Sequence, residues 1–319
     1  MKRILMVVDR IGWAYSTKAE AIANNYKGDK LSFELISTKD PVQKVRNAFT
    51  NADLYLFFGF QNFKKCQRHA GAVANKSLVS VASHESWDHK QTQPDNQVLP
   101  DQQIMDYLKQ FKSVSAVSKR LVNLFKQAGL KEIYYTPNGV PVDKFPPKFD
   151  LPKKPLICGY AGRDVDQKKG HRSIIIPAIR KCNYVRLDQA LCDFKLEKRS
   201  GTRGESNLNY NQMPKFYQNL HVYLCASREE GSCRSVLEAM SSGCAIISTD
   251  CGAINELITH GHNGLIIDRN IDAFANAISL LYKDRKLLKA MIERNIEKIK
   301  EFDWKNVVHY WYKWIENNL

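Results

Sequence analysis

A chain of 319 residues with 44% hydrophobic residues and no low-complexity tract has room for two globular domains, which excludes a disordered chain. No apolar run approaches a membrane span, and MKRILMVVDR is too short for a signal peptide and reads better as a first strand. The net charge of +15 is shared between residues 1–150 (+8) and the remainder (+7), so it is not a basic tail and points to polyanionic company: a phosphorylated substrate, an anionic membrane surface or nucleic acid. The eight cysteines form no CxxC pair and several lie in apolar runs, the pattern of buried free thiols in a reducing compartment.

KRILMVVD is apolar and β-branched, which predicts a buried parallel strand, with Gly12 in the loop at its carboxyl end. Ligands of open α/β sheets bind there, and a glycine allows close backbone approach. Residues 17–25 and 41–50 read as helices, and 52–60 and 77–83 as further strands. His84 follows the second of these strands, beside Glu85, Asp88 and His89, a spacing that matches no common metal pattern. Ser118 is placed to cap a helix over 118–129, whose Lys119, Arg120 and Lys126 lie beside Leu121, Leu124 and Phe125. With Lys64, Lys65 and Arg68 these bases could dock on an anionic membrane, or be solvated charges on a core-facing helix. Pro137-Asn138-Gly139 is a turn, and PVDKFPPKFDLPKKP has the composition of a linker, so domains are expected at 1–148 and 149–302, with a last helix at 303–319.

PLICGYAGRDVDQKKGHRSII predicts a strand, a loop and a helix. Arg163, Lys168 and Lys169 put cations on a loop that leads to a helix N-terminus, as a diphosphate requires. Asp164-Val165-Asp166 spells a DxD metal motif, but it sits inside that phosphate loop and no metal is expected. SREEGSCRSVLEAMSSG then predicts a helix capped near Ser232 and closed at Gly243, followed by the short strand AIIST. The N–H groups of Ser232, Cys233 and Arg234 make an anion site, and Glu230 and Glu238 flank it. Carboxylates beside a phosphate suit hydrogen bonds from neutral hydroxyls, so a nucleotide sugar fits the layout. Helices near 272–283 and 285–301 follow, and the terminal aromatics Trp304, Tyr310, Trp311 and Trp314 read as core.

The spacing Glu230-x7-Glu238, with LEAM around the second acid and ISTDCGAINELI and GHNGLII behind it, resembles the signature of retaining glycosyltransferases of the GT-B fold, family 4. The stretch 113–147, with Asn138-Gly139-Val140, Asp143 and Phe145, is similar to the same family, as is Gly162-Arg163-x5-Lys169-Gly170. The resemblance implies two Rossmann-like parallel-sheet domains facing a central cleft, with the first shaping the acceptor site and the second holding the donor. It further implies that Arg163 and Lys169 clamp the donor diphosphate, Glu230 holds the sugar hydroxyls, Glu238 holds the ribose, Gly12 borders the phosphates and His84 stands near the donor sugar. Arg203 and Gly204 fall where such proteins contact the base, in a stretch, 182–206, where the likeness fades.

The resulting expectation is a metal-independent, retaining transfer from a nucleoside diphosphate sugar to a glycan or lipid-linked acceptor, in the cytoplasm or peripherally on the inner face of a membrane. Modified DNA as acceptor, suggested by the charge, and a non-catalytic nucleotide-sugar binder stay open beside it. No cofactor is implied.

Overall fold

Because KRILMVV is apolar at consecutive positions rather than alternating, a strand made from it has to be covered on both faces, and β1 (Lys2–Val8) is buried from Ile4 to Val8. The protein was described from a computed structural model, which covers residues 1–83, 98–148, 155–162, 167–182, 184–191 and 208–319. After β1 come α1 (Ala14–Asn25), β2 (Leu31–Ser37), α2 (Val42–Asn51), β3 (Leu54–Phe58), α3 (Gln61–Ala70), β4 (Ser77–Val81), α4 (Gln102–Leu108), β5 (Ser113–Ala116), α5 (Lys119–Gln127) and β6 (Tyr134–Tyr135). The strands form a parallel sheet in the order β2-β1-β3-β4-β5-β6. Strand order reverses at β1, so the crevice between the carboxyl ends of β1 and β3 is the switch point of this sheet. Ser118 caps α5 as expected, its Oγ accepting from the Leu121 N–H at 3.3 Å.

The second unit repeats the plan with β7 (Leu156–Gly162), a π-helical turn at His171–Ile175 leading into α6 (Ile176–Arg180), β8 (Val185–Leu191), α7 (Met213–Tyr217), β9 (Val222–Cys225), α8 (Arg234–Ser241), β10 (Ala245–Ser248), α9 (Ile254–Leu257), β11 (Gly264–Ile266), α10 (Ile271–Lys283) and α11 (Arg285–Ile299). Its parallel strands run β11-β10-β9-β7-β8, which is the first sheet's order with β7 in the place of β1. Here the switch point lies between β7 and β9. Ile157, Tyr223 and Ile246 face Leu237 and Met240 on one side of the sheet, and Cys158, Leu224 and Ile247 face Phe274 and Ile278 on the other.

The chain passes between units at Gly139 and Val140, and again at Asp303 and Trp304. Residues 140–148, expected to close the first domain, instead pack with the second. Phe145 is fully buried in that core, and the Val140 N–H bonds the Phe302 carbonyl at 2.9 Å. The last helix, α12 (Trp304–Glu316), belongs to the first unit, where Tyr312 donates to the Ile22 carbonyl of α1 at 2.7 Å. Trp304, Trp311 and Trp314 are core as expected, whereas Tyr310 is 39% exposed. Strands β2 and β8 and helices α3 and α4 have no counterpart in the sequence expectations. LSFELIS is half polar because β2 is an edge strand, and β8 lies where the family likeness fades.

Candidate functional site

Two loops meet at the switch point of the second unit. One follows β7 and ends in a short turn at Gln167–Lys169, and the other follows β9 and runs into α8. Their contact is close enough to require glycine at Gly170, which has φ +67° and where a Cβ would lie 2.5 Å from the Ala226 carbonyl oxygen. The Arg228 N–H bonds the Lys168 carbonyl at 2.7 Å. The Arg269 guanidinium spans the junction, donating to the carbonyls of Ala226 at 3.0 Å and Lys168 at 3.4 Å. Lys168–Gly170 and the start of the loop after β9 therefore form one floor.

On that floor Lys169 donates through Nζ to Glu230 Oε1, and the Ser227 hydroxyl donates to the same oxygen at 2.8 Å. Burial disfavours the Lys169 ammonium, but the charge and hydrogen bond of Glu230 more than offset it, so the pKa of Lys169 stands above its ordinary value. Both contacts use Oε1, which leaves Oε2 of Glu230 to accept from a ligand. Lys168 pairs separately with Glu229, Nζ to Oε1 at 2.8 Å. The two lysines are thus held by two neighbouring acids of one loop, Lys169 by Glu230 and Lys168 by Glu229.

The helix behind the floor starts one residue later than expected. Ser232 is buried but is not the N-cap; Cys233 is, in the left-handed region at φ +46° and with no side-chain cap bond. An uncapped N-terminus of this kind is an anion site in principle. The other end closes as read from Gly243: its N–H bonds the Met240 carbonyl at 3.1 Å and that of Cys244 bonds the Ala239 carbonyl at 2.9 Å, a Schellman motif. Glu238 lies within α8 with both oxygens engaged, Oε1 by Arg234 Nε at 3.1 Å and Oε2 by the Tyr217 hydroxyl at 3.0 Å. Burial raises the Glu238 pKa, against the pull of Arg234 and the Tyr217 hydrogen bond. Tyr210 stacks under the Arg234 guanidinium, 4.9 Å from its ring centre.

Of the residues singled out from sequence, the structure brings together Lys168, Lys169, Glu230, Ser232, Cys233, Arg234 and Glu238. Arg163, His84, Asp164, Asp166, Arg203 and Gly204 lie outside the described residues. Gly12 lies in the first unit after β1, with φ +80° and open space where its Cβ would be. That backbone conformation by itself favours glycine there. Its N–H donates to Ser16 Oγ at 3.1 Å. Sequence reasoning missed Ser227, Arg269, Tyr217 and Gly252. Ser227 stood in the quoted motif, three residues before Glu230, but Arg269 and Tyr217 reach the site from elements with no local signal. In the first unit it also missed a crevice of about 740 Å³ at the end of β3, lined by Phe60, Gln61, Lys64, Tyr107 and Gln110 among others.

Gly252 supports the acid directly. It has φ +52°, and a Cβ there would stand 2.8 Å from Glu230 Cβ and 2.8 Å from the Gly231 carbonyl oxygen. Gly252→Ala is expected to destabilise by about 1–2 kcal/mol from conformation alone, and further through the collision with Glu230. Gly261→Ala is the comparison, because it has φ +75° and nothing within 4 Å of the added carbon. Thermal unfolding should show a larger loss at Gly252, and equal losses would mean that the Gly252 contact carries no weight.

These loops on a twice-repeated parallel sheet define a GT-B protein, and solved structures of that fold match along nearly the whole chain. Sucrose-phosphate synthase from Thermosynechococcus elongatus covers 99% of each chain with a TM-score of 0.79 at 14% identity. Anabaena Alr3699/HepE, solved in complex with UDP and glucose, covers 99% of this chain and 100% of its own with a TM-score of 0.74 at 15% identity. Residues 195–298, which hold α8 and both acids, match the family described as Glycosyl transferases group 1. A curated relative, the lipopolysaccharide core biosynthesis mannosyltransferase LpsB of Rhizobium meliloti, is 34% identical over 84 residues, covering 25% of this chain and 24% of LpsB. The sequence match thus spans about a quarter of that relative. No described helix is long and apolar enough to cross a membrane.

Proposed function

We propose that this protein is a retaining, metal-independent glycosyltransferase that moves a sugar from a nucleoside diphosphate sugar to a glycan or lipid-linked acceptor. The observation that carries the reading is the Lys169–Glu230 pair at the switch point, a cation held beside a carboxylate that keeps one oxygen for a ligand. A nucleotide sugar has those two needs side by side, anionic oxygens at the diphosphate and neutral hydroxyls on the sugar. HepE, whose structure contains UDP and glucose, and LpsB, a mannosyltransferase of lipopolysaccharide core, support the donor class and a glycan acceptor by analogy.

In this reading Lys169, Arg163 and the first N–H groups of α8, near Ser232, Cys233 and Arg234, neutralise the charge that grows on the departing diphosphate. Stabilisation of developing charge by fixed donors is usually the largest catalytic contribution. Glu230 Oε2 accepts from the donor sugar's hydroxyls. Glu238, whose two oxygens already have partners, takes the ribose through their remaining lone pairs. By the family resemblance, Gly12 borders the donor phosphates and His84 hydrogen-bonds the donor sugar rather than acting as a base. The bond between the anomeric carbon and the phosphate oxygen breaks with its electron pair going to the diphosphate. The acceptor oxygen bonds the same face of that carbon, and its proton passes to the leaving phosphate oxygen. Basic side chains on α5, Lys119, Arg120 and Lys126, are the surface proposed for a lipid-borne acceptor at an anionic membrane.

A thermal-shift series with nucleoside diphosphates and their sugars, with and without EDTA, tests the donor. A ligand at a hundred times its Kd stabilises by about 2.7 kcal/mol. One nucleotide class should raise the melting temperature equally with and without EDTA, and its sugar should be consumed slowly even without acceptor. A shift lost in EDTA would overturn the metal-independent part. Binding with no turnover under any acceptor would favour a nucleotide-sugar binder, and no shift at all would remove the donor site.

A further inference from the structure

Cys225 at the end of β9, Cys233 at the start of α8 and Cys251 after β10 converge behind the Glu230 loop. All three are free and buried, with their sulfurs within 4.8 Å of one another. The Cys233 and Cys251 sulfurs are 3.8 Å apart. A strand end, a helix start and a turn supply them, so the cluster is a product of the fold rather than of a local sequence motif. None of the other four described cysteines belongs to such a group.

The backbone at Cys233 makes the convergence conspicuous. Among the described residues it is the one non-glycine with positive φ. That conformation costs a side-chain-bearing residue roughly 1–2 kcal/mol, and here it delivers a sulfur to the other two. A cation bonded to three sulfurs at about 2.3 Å sets them about 3.8–4.0 Å apart. The Cys233–Cys251 separation already lies in that range, and Cys225, within 4.8 Å of both, reaches it by small rotations of the side chains. Among the described residues no histidine or carboxylate stands close enough to join the three sulfurs.

We propose that Cys225, Cys233 and Cys251 form a thiolate site for a soft d10 cation, Cu+ in the first place, since three sulfurs complete its coordination, whereas Zn2+ takes a fourth ligand. Soft thiolates select such ions over the hard cations that carboxylates and water prefer. Binding forms three metal–sulfur bonds and displaces three thiol protons to solvent. The resulting negative charge is buried next to the positive end of α8, with Lys169 in electrostatic reach of Cys225. The ion would be structural and takes no part in the transfer proposed above. It would cross-link β9, α8 and the Cys251-Gly252 turn that supports Glu230, and the site stands whether or not the protein transfers sugar.

The test is anaerobic titration of the reduced full chain with Cu+ held by a chromophoric chelator, and in parallel with Zn2+ against a competing chelator. One equivalent of Cu+ should be withdrawn from its chelator, with a new ultraviolet thiolate-to-metal absorption and a higher melting temperature. Cys233→Ser and Cys251→Ser should each weaken binding by at least about a hundredfold, of the order seen when a metal's immediate surroundings are altered. Cys244→Ser, a buried thiol of the same unit outside the cluster, should bind as the parent does. One equivalent of Zn2+ with the same dependence on Cys233 and Cys251 would support the site with the other cation. No withdrawal of either metal by natively folded protein would overturn it. So would binding that survives in both serine variants. Circular dichroism of each variant establishes that a loss of binding is not a loss of fold.

Discussion

Lys169→Ala is expected to lower kcat by on the order of a hundred- to a thousandfold, equivalent to roughly 3–4 kcal/mol of transition-state stabilisation, with the fold intact. The side chain is only 27% exposed and held at a fixed place by Glu230, so its charge is aligned before the donor arrives. A positioned cation of that kind gains most when the diphosphate departs, and less when the intact donor binds, so KM should change less than kcat. Glu230→Gln removes the negative charge paired with Lys169 and turns the outer oxygen from an acceptor into an amide donor, and on the proposed function it should produce a loss of similar size. Since each residue positions the other, the double variant should lose much less than the product of the two single losses. Rates are read as donor consumption, using the nucleotide sugar selected by thermal shift. A Lys169→Ala enzyme with the parent's kcat would remove the lysine from the chemistry. Simple multiplication in the double variant would instead mean that the pair is coincidental.

How much of this was legible in the chain depends on whether the signal was local. Gly243 and Ser118 are helix-end residues whose partners lie within a few positions, and both behave in the structure as read. The buried parallel strands were equally visible, because consecutive apolar residues such as LYLFF have no other stable use in so short a segment. Edge strands gave a weaker signal: β2 has a neighbour on one side alone, and in LSFELIS the half-buried residues Ser32 to Leu35 mix polar with apolar. The helix start at Cys233 was misplaced by one residue because cap preference ranks serine high and cysteine low. Backbone conformation decided otherwise, through a strain no propensity includes. Arg269 could not have been found from spacing. It acts on two carbonyls 43 and 101 residues away, and only the parallel order of β11, β10, β9 and β7 brings them together.

The same reasoning explains why Glu230 and Glu238 differ in spite of their symmetric place in the motif. Glu230 sits in a loop at the sheet's carboxyl edge, where one oxygen is anchored and the other is left for a ligand. Glu238 is two turns further along, in the buried stretch of α8, where an unpaired carboxylate would be costly and Arg234 and Tyr217 supply both partners. A motif fixes the spacing of two acids; burial decides what each can do.

Trp311→Ala should be the largest stability loss in the first unit, about 3–5 kcal/mol, as is usual when a fully buried aromatic is truncated. Trp311 has no exposed surface and packs at 5.8 Å from Phe58 and 6.1 Å from Trp314 between ring centres. Its Nε1 also donates to the Pro137 carbonyl at 2.9 Å, so truncation leaves a cavity and a buried carbonyl without its donor. Tyr310, on the same helix but 39% exposed, is the comparison, and Tyr310→Ala should cost far less. The sequence supplies a convenient probe. The described tryptophans, at positions 13, 304, 311 and 314, all belong to the first unit, so their fluorescence follows that unit while circular dichroism follows both. In urea, the fluorescence midpoint of Trp311→Ala should fall well below that of the parent. A donor nucleotide bound to the second unit should not restore it if the units unfold separately, and should restore it in part if they unfold as one. A midpoint no lower than that of Tyr310→Ala would mean that α12 is not a structural part of the first unit's core.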